Sequence, residues 1–121
     1  MQQLTIFDII EEKGKAAPNF PDFQLLELSE IARILSDAVG VTFRADRFGR
    51  YEAKHGKIVF DLGLSTYLVD DKFGQKFISI GYLDKSDHSG GGRPADSIAE
   101  AVNYYVGVLR NKEGRENGEN I

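Results

Sequence analysis

Asp84, Ser86, Asp87, His88 and Ser89 fall within one short stretch, "DKSDHSGGG", the densest gathering of chemically able groups in the chain. Serine, histidine and aspartate are the residue types of a nucleophilic triad. Triad members act on one another from different parts of a fold, however, and neighbours on one loop rarely converge. Asp84, Asp87 and His88 also offer oxygen and nitrogen donors to a divalent metal, but no second cluster completes a coordination shell. Gly90, Gly91 and Gly92 come next, ahead of a helix whose free N–H groups would attract anions. No lysine stands where a phosphate-binding loop needs one, and no G-x-G-x-x-G spacing is present. His55, beside Gly56, reads as a turn residue rather than a general base. The expectation is a flexible solvent loop with no catalytic residue, metal ligand or cofactor. A metal-dependent enzyme built on residues 84–89 stands as an alternative.

A second group of residues bears on binding rather than catalysis. The chain has a net charge of -4, unevenly spread. Residues 44–57 carry Arg44, Arg47, Arg50, Lys54 and Lys57 against only Asp46 and Glu52, a basic island between acidic flanks. Such an island suits phosphates or an acidic partner, and equally a solvated sheet face. Tyr67 alternates onto the same wet face, where it could stack on a base or anchor a protein contact. Tyr104, off the main stripe of the last helix, is another candidate for exposure. Net acidity favours protein over nucleic acid as the partner.

These residues must be held by elements that the apolar pattern reveals. Leu28, Ile31, Leu35 and Val39 recur at helical spacing, and Gly40 suits the cap that ends the helix. Ser29 is a candidate start after a short turn at 22–27. From residue 41 the period changes to two: Val41, Phe43, Ala45, Tyr51 and Ala53 alternate with polar residues. "HGK" at 55–57 offers a tight turn before a long strand in which Ile58, Phe60, Leu62, Leu64 and Leu68 share one face. "DDKFGQ" turns the chain again into "KFISIGYL", where Phe77 is out of phase with Ile78 and Ile80. The result is an antiparallel meander of three strands, or four if "RFGR" is a hairpin turn. The stretch "DKSDHSGGGRPAD" reads as loop. Ser97 with Glu100 forms a capping box for a last helix carrying Ile98, Val102, Tyr105, Val106 and Leu109 through about residue 111.

The fold class is therefore α+β: a two-layer sandwich of helix, three- or four-stranded antiparallel meander and helix, with both helices on one face. The domain reading is an N-terminal peptide and tether over 1–22, one domain over 23–111 and a disordered tail over 112–121. At 121 residues one small core is what such a chain supports. The absence of cysteine excludes disulfides, thiolate zinc sites and a cysteine nucleophile. No apolar run reaches the roughly 18 residues that cross a bilayer, and no export signal opens the sequence. A soluble cytoplasmic protein is expected, without membrane contact.

Helix, meander, helix resembles the element order of the double-stranded-RNA-binding domain over about residues 28–111. That resemblance implies cations at the start of the last helix. Here "RPADSIAE" places Asp96 and Glu100 there, where carboxylates repel phosphate. A more specific resemblance lies in Gln3-Leu4-Thr5-Ile6-Phe7, which is similar to the peptide by which bacterial polymerases and repair proteins dock on the DNA sliding clamp. It implies that Gln3 hydrogen-bonds at a groove edge while Leu4, Ile6 and Phe7 fill an apolar pocket. The alternative is that "LTIFDII" packs on its own core as a first strand or helix. The opening segment, the small sandwich and the "DSIAEAVNYYV" helix together resemble small accessory proteins of bacteriophages and other bacterial mobile elements, anti-CRISPR-like proteins among them. That class implies a non-enzymatic protein that binds and inhibits host replication or defence machinery, through a sliding clamp or a defence nuclease. The expected partner-binding residues are Gln3, Leu4, Ile6, Phe7, Arg44, Arg47, Arg50, Lys54 and Tyr67. The alternative is a nucleic-acid-binding module using the 44–57 region. Oligomeric state is not legible in the sequence.

Overall fold

Glu27 opens the first helix by donating its backbone N–H to the Glu30 carboxylate at 3.0 Å, a reciprocal cap that starts α1 (Leu28–Val39). A single 3-10 turn, Phe23–Leu25, precedes it and buries Phe23. The computed structural model describes residues 20–119 of the chain. Helix α1 ends at Gly40, whose φ of 88° only glycine adopts without strain and whose N–H reaches Ser36 O at 2.9 Å. Ile31, Ala32 and Leu35 form its buried stripe.

The chain then folds into a five-stranded antiparallel sheet in sequential order: β1 (Arg44–Ala45), β2 (Tyr51–His55), β3 (Ile58–Thr66), β4 (Lys76–Asp84) and β5 (Ser89–Ala95). The last helix, α2, spans Ile98–Glu119. Its start is capped as its sequence predicts, with Ser97 Oγ accepting the Glu100 N–H at 3.0 Å. Glu100 in turn accepts the N–H of Asp96, one residue earlier than a strict capping box. Phe60, Leu62, Ile78 and Ile80 from the sheet meet Ile31 and Leu35 of α1 and Ile98, Ala101, Val102 and Tyr105 of α2 in one core. Tyr105 is its centre, with its ring 5.3 Å from that of Phe43 and 5.0 Å from that of Phe60. The α+β layout of helix, meander and helix is as the pattern predicts.

Several details differ, each for a visible reason. The sheet has five strands, because "SGGGRPA", expected to be loop, pairs with β4 along its whole length from Ile78↔Ala95 to Asp84↔Ser89. Glycine carries no periodicity to read, so this strand is invisible to the alternation of apolar residues. Ala45 is exposed, because β1 is only two residues long and the chain turns away at once. Leu68 lies beyond the end of β3 and is exposed too. Phe77 sits on the solvent side of the sheet with its ring 4.6 Å from that of Tyr67, which explains its phase. The backbone of α2 continues to Glu119, past residue 111 where its apolar stripe ends. Among the described residues no helix is long and apolar enough to cross a membrane.

Candidate functional site

The 84–89 cluster closes on itself. Asp84 ends β4, and its Oδ1 accepts both the N–H and the Oγ–H of Ser86, at 2.9 and 2.6 Å. Asp87 Oδ1 holds Ser89 the same way, at 3.0 and 2.6 Å. Lys112 of α2 reaches between them, with Nζ 3.0 Å from Asp84 Oδ2, 3.2 Å from Asp87 Oδ2 and 2.8 Å from Ser89 Oγ. The Asp84 and Lys112 side chains are only 6% and 12% exposed. Hydrogen bonds from Ser86 and Ser89, reinforced by Lys112, hold both carboxyls below the usual aspartate range. Each serine spends its proton on a carboxylate, so neither is activated as a nucleophile. The lysine ammonium takes the place between the carboxylates that a metal would need. His88 bulges outward at φ 59° and joins neither aspartate. Among the described residues no group of three or more His, Cys, Asp or Glu is placed to hold a metal ion. The arrangement is a clasp that pins the β4–β5 hairpin to α2.

The side of the sheet away from the helices is open, and strand register determines its shape. Asp61, Gly81 and Gly92 face one another across β3, β4 and β5; Val59, Leu83 and Gly90 form the next row, and Gly63, Ser79 and Pro94 the one beyond. Residues that oppose each other in register share a face. The rows therefore place glycine at four positions where side chains would otherwise fill the surface. Beta-carbons at Gly81 and Gly92 would press against the backbone oxygens of Gly91 and Ile80, at 3.0 and 3.1 Å. A furrow of about 640 Å³ results, with Val59, Phe77, Leu83 and Pro94 along it and Lys54, Lys85 and Arg93 at its rim.

Arg50 lies at one end of this furrow. Its Nε and Nη2 donate to the two oxygens of Asp61 at 3.0 and 2.6 Å, and Nη2 lies 3.4 Å from Ser79 Oγ. The hydrogen bonds to Asp61 raise the Arg50 pKa, against the opposing pull of partial burial. The guanidinium rests on Gly63, where any β-carbon would overlap it. Arg50 thus neutralises Asp61, while Glu52, in register with Asp61, also lines the furrow, whose charge is the balance of Lys54, Lys85 and Arg93 against Glu52. Lys54 and Lys85 make no ion pair among the described residues. Arg93 shares one with Glu100 at 2.7 Å.

The expected site residues divide accordingly. Lys54 lines the furrow, Arg50 adjoins it through Asp61 and Ser79, and Arg44 adjoins it beside Glu52 and Lys54. Arg47 lies in the β1–β2 turn with its guanidinium 5.4 Å from the centre of the Phe48 ring, away from this surface. Tyr67 is not a free stacking platform: its hydroxyl donates to Asp96 at 2.8 Å and Lys72 Nζ lies 4.7 Å over its ring. Tyr104, expected to be exposed, has its hydroxyl buried beneath β5. Gln3, Leu4, Ile6 and Phe7 lie outside the described residues. Sequence reasoning missed Lys85, Arg93 and Gly81, and read Gly92 as part of a flexible loop where it is a strand residue. Gly81 and Leu83 were legible in principle, since they continue the period of two from Phe77 and Ser79. The chain matches no protein-family model, no curated protein and no solved structure.

Proposed function

We propose that the protein is a non-enzymatic binding module that holds an acidic, extended segment of a partner protein on its open sheet face. One observation carries this reading: register aligns glycines into a furrow whose cations, Lys54, Lys85 and Arg93, outnumber its acids, Glu52 and the Arg50-paired Asp61, in a chain that is otherwise acidic. A cationic trough in an anionic molecule attracts negative charge locally while the rest of the surface repels it, which favours one orientation of docking. The clasp at 84–89 speaks against catalysis there, because every acid in it is already committed to a serine or to Lys112. The resemblance of the head peptide to clamp-docking segments, and of the chain to mobile-element accessory proteins, suggests a bacterial partner from replication or defence.

The test is fluorescence anisotropy with a short labelled peptide of alternating glutamate and valine. The full chain is expected to bind it, and K54E/K85E to lose most of that affinity; equal binding by the two would refute the reading. Capture from bacterial lysate by intact protein beside L4A/F7A then asks whether the head peptide chooses the partner. A second reading, single-stranded nucleic acid, is favoured by the half-buried Phe77 ring lining a furrow that also carries Lys54, Lys85 and Arg93. Oligothymidylate in the same assay separates the two, since phosphate-driven binding falls steeply with salt.

A further inference from the structure

Leu68, Val69 and Phe73 are 79%, 54% and 73% exposed, three large apolar side chains close together in the connection between β3 and β4, residues 67–75. Exposed apolar residues are ordinary when scattered singly; a cluster at a protruding tip is what interaction sites show. This tip is also held in shape. Tyr67 N–H bonds Gln75 O at 2.8 Å, Lys72 N–H bonds Val69 O at 3.0 Å and Gln75 N–H bonds Lys72 O at 3.0 Å. From outside, Asp96 holds Tyr67 and Lys72 together, while the Gln24 side chain grips the backbone of Lys76 through both its N–H and its carbonyl. A rigid apolar tip has little conformational entropy left to lose on docking.

We infer that this tip is a second contact surface, and that it docks into the furrow of another copy of the same chain. The inference rests on the furrow being a binding site, as proposed above. Charge supplies the match. Asp70 and Asp71 are exposed beside the apolar residues, while Lys72 turns its charge back onto Asp96 at 2.9 Å, leaving the tip anionic. Its complement is an apolar floor with an excess of cations, which describes Val59, Leu83 and Pro94 with Lys54, Lys85 and Arg93 against Glu52, the furrow's other acid, Asp61, being paired with Arg50. The tip cannot enter its own furrow: it extends from β3 and β4 about 16 Å beyond the Asp61–Gly81 row that floors it, and Asp96 fixes its direction. A contact between two different patches is heterologous, so each copy offers one free tip and one free furrow, and assembly proceeds to chains or a ring. The contact is small, so association depends on concentration.

Sedimentation of the full chain over a hundredfold range of concentration tests this, with two surface variants. L68S/F73S removes the tip and K54E/K85E reverses the rim; all four positions are exposed, and circular dichroism checks that each variant folds. The wild type is expected to gain mean mass with concentration while each variant alone stays monomeric. An equimolar mixture of the two should form a dimer and nothing larger, because between them they retain one intact tip and one intact furrow. A wild type that stays monomeric, variants that associate as the wild type does, or a mixture that fails to pair would each overturn the inference. If the wild type is monomeric yet binds the glutamate–valine peptide, self-docking fails and the binding module stands; if it binds neither, both fail.

Discussion

Gly63→Ala is the substitution that most sharply separates the furrow from the fold. Its β-carbon would occupy the seat of the Arg50 guanidinium, whose only routes are to lift away from Asp61 or to leave the sheet altogether. The ion pair so lost has side chains 35% and 49% exposed, which places its worth at about 0.2–1 kcal/mol. Replacing glycine by alanine within a strand returns about 0.5–1 kcal/mol of backbone entropy. The two nearly cancel, so the urea midpoint of G63A should move by less than about 1 kcal/mol of stability. Binding should not cancel. An uncovered Asp61 carboxylate about 5 Å from an anionic group on the peptide costs about 1 kcal/mol in a watery furrow, or about fivefold in affinity. Arg50→Met, which deletes the cation outright, sets the upper end of the effect, and G63A should fall between it and the wild type. Two results would refute the reasoning. A loss of more than about 2 kcal/mol in G63A would mean that Gly63 serves the backbone rather than Arg50. Unchanged peptide affinity in both variants would mean that Arg50 does not govern the furrow.

Other expectations follow from the core and the clasps. Tyr105→Phe removes a hydroxyl that donates to Asp61 O at 2.5 Å while keeping the ring, so chemical denaturation should show a loss of about 1–3 kcal/mol. Burial pushes the Tyr105 phenol well above its ordinary value of 10, so the fold keeps a proton that the unfolded chain surrenders; stability should fall as pH rises past about 10, and less so in Y105F. Asp84, Asp87 and Asp96 are depressed below the ordinary 3.8 by Ser86, Ser89 and Lys72 respectively. Their contribution is fully present above that value and fades as pH falls through their folded values, which acid titration of the urea midpoint should reveal as a plateau down to about pH 4 and a decline beneath it. Thermal shift with divalent cations should show no stabilisation of the wild type, because Lys112 already bridges Asp84 and Asp87; a rise with any one metal would revive the enzyme reading.

The elements that bury apolar residues announced themselves in the sequence, and the furrow of the open sheet face did not. Leu28, Ile31 and Leu35 mark α1 because a helix one face of which meets a core must repeat near 3.6, and Ile58, Phe60 and Leu62 mark β3 because a strand must repeat at two. Residues 90–92 have no side chain to repeat, so β5 is defined only by its partner: Leu83, Tyr82 and Gly81 of β4 supply the ladder that makes it a strand. Charge was legible as composition but not as arrangement. Arg50 counted as one cation of five in a basic island, yet the fold spends it on Asp61, and recruits Lys85 and Arg93 from far along the chain in its place. The head peptide remains a reading of residues outside the described part of the chain.

What the glycines cost is itself informative. Gly63, Gly81, Gly90 and Gly92 are strand residues, and none has the positive φ that would require glycine; the positions that do are Gly40, Gly49, Gly56 and Gly74, all outside the strands. Four glycines inside strands sacrifice about 2–4 kcal/mol relative to alanine, a large share of the stability of a small domain. Local conformation does not account for that expense. Close approach accounts for part of it, since side chains at Gly81, Gly90 and Gly92 would meet backbone oxygens of the neighbouring strand. The same four positions share one face, away from the core, and are bordered by Lys54, Lys85 and Arg93 as well as by Glu52 and Asp61. Under the function proposed above, that depression is room for an acidic segment, and affinity for the glutamate–valine peptide is the measurement that decides it.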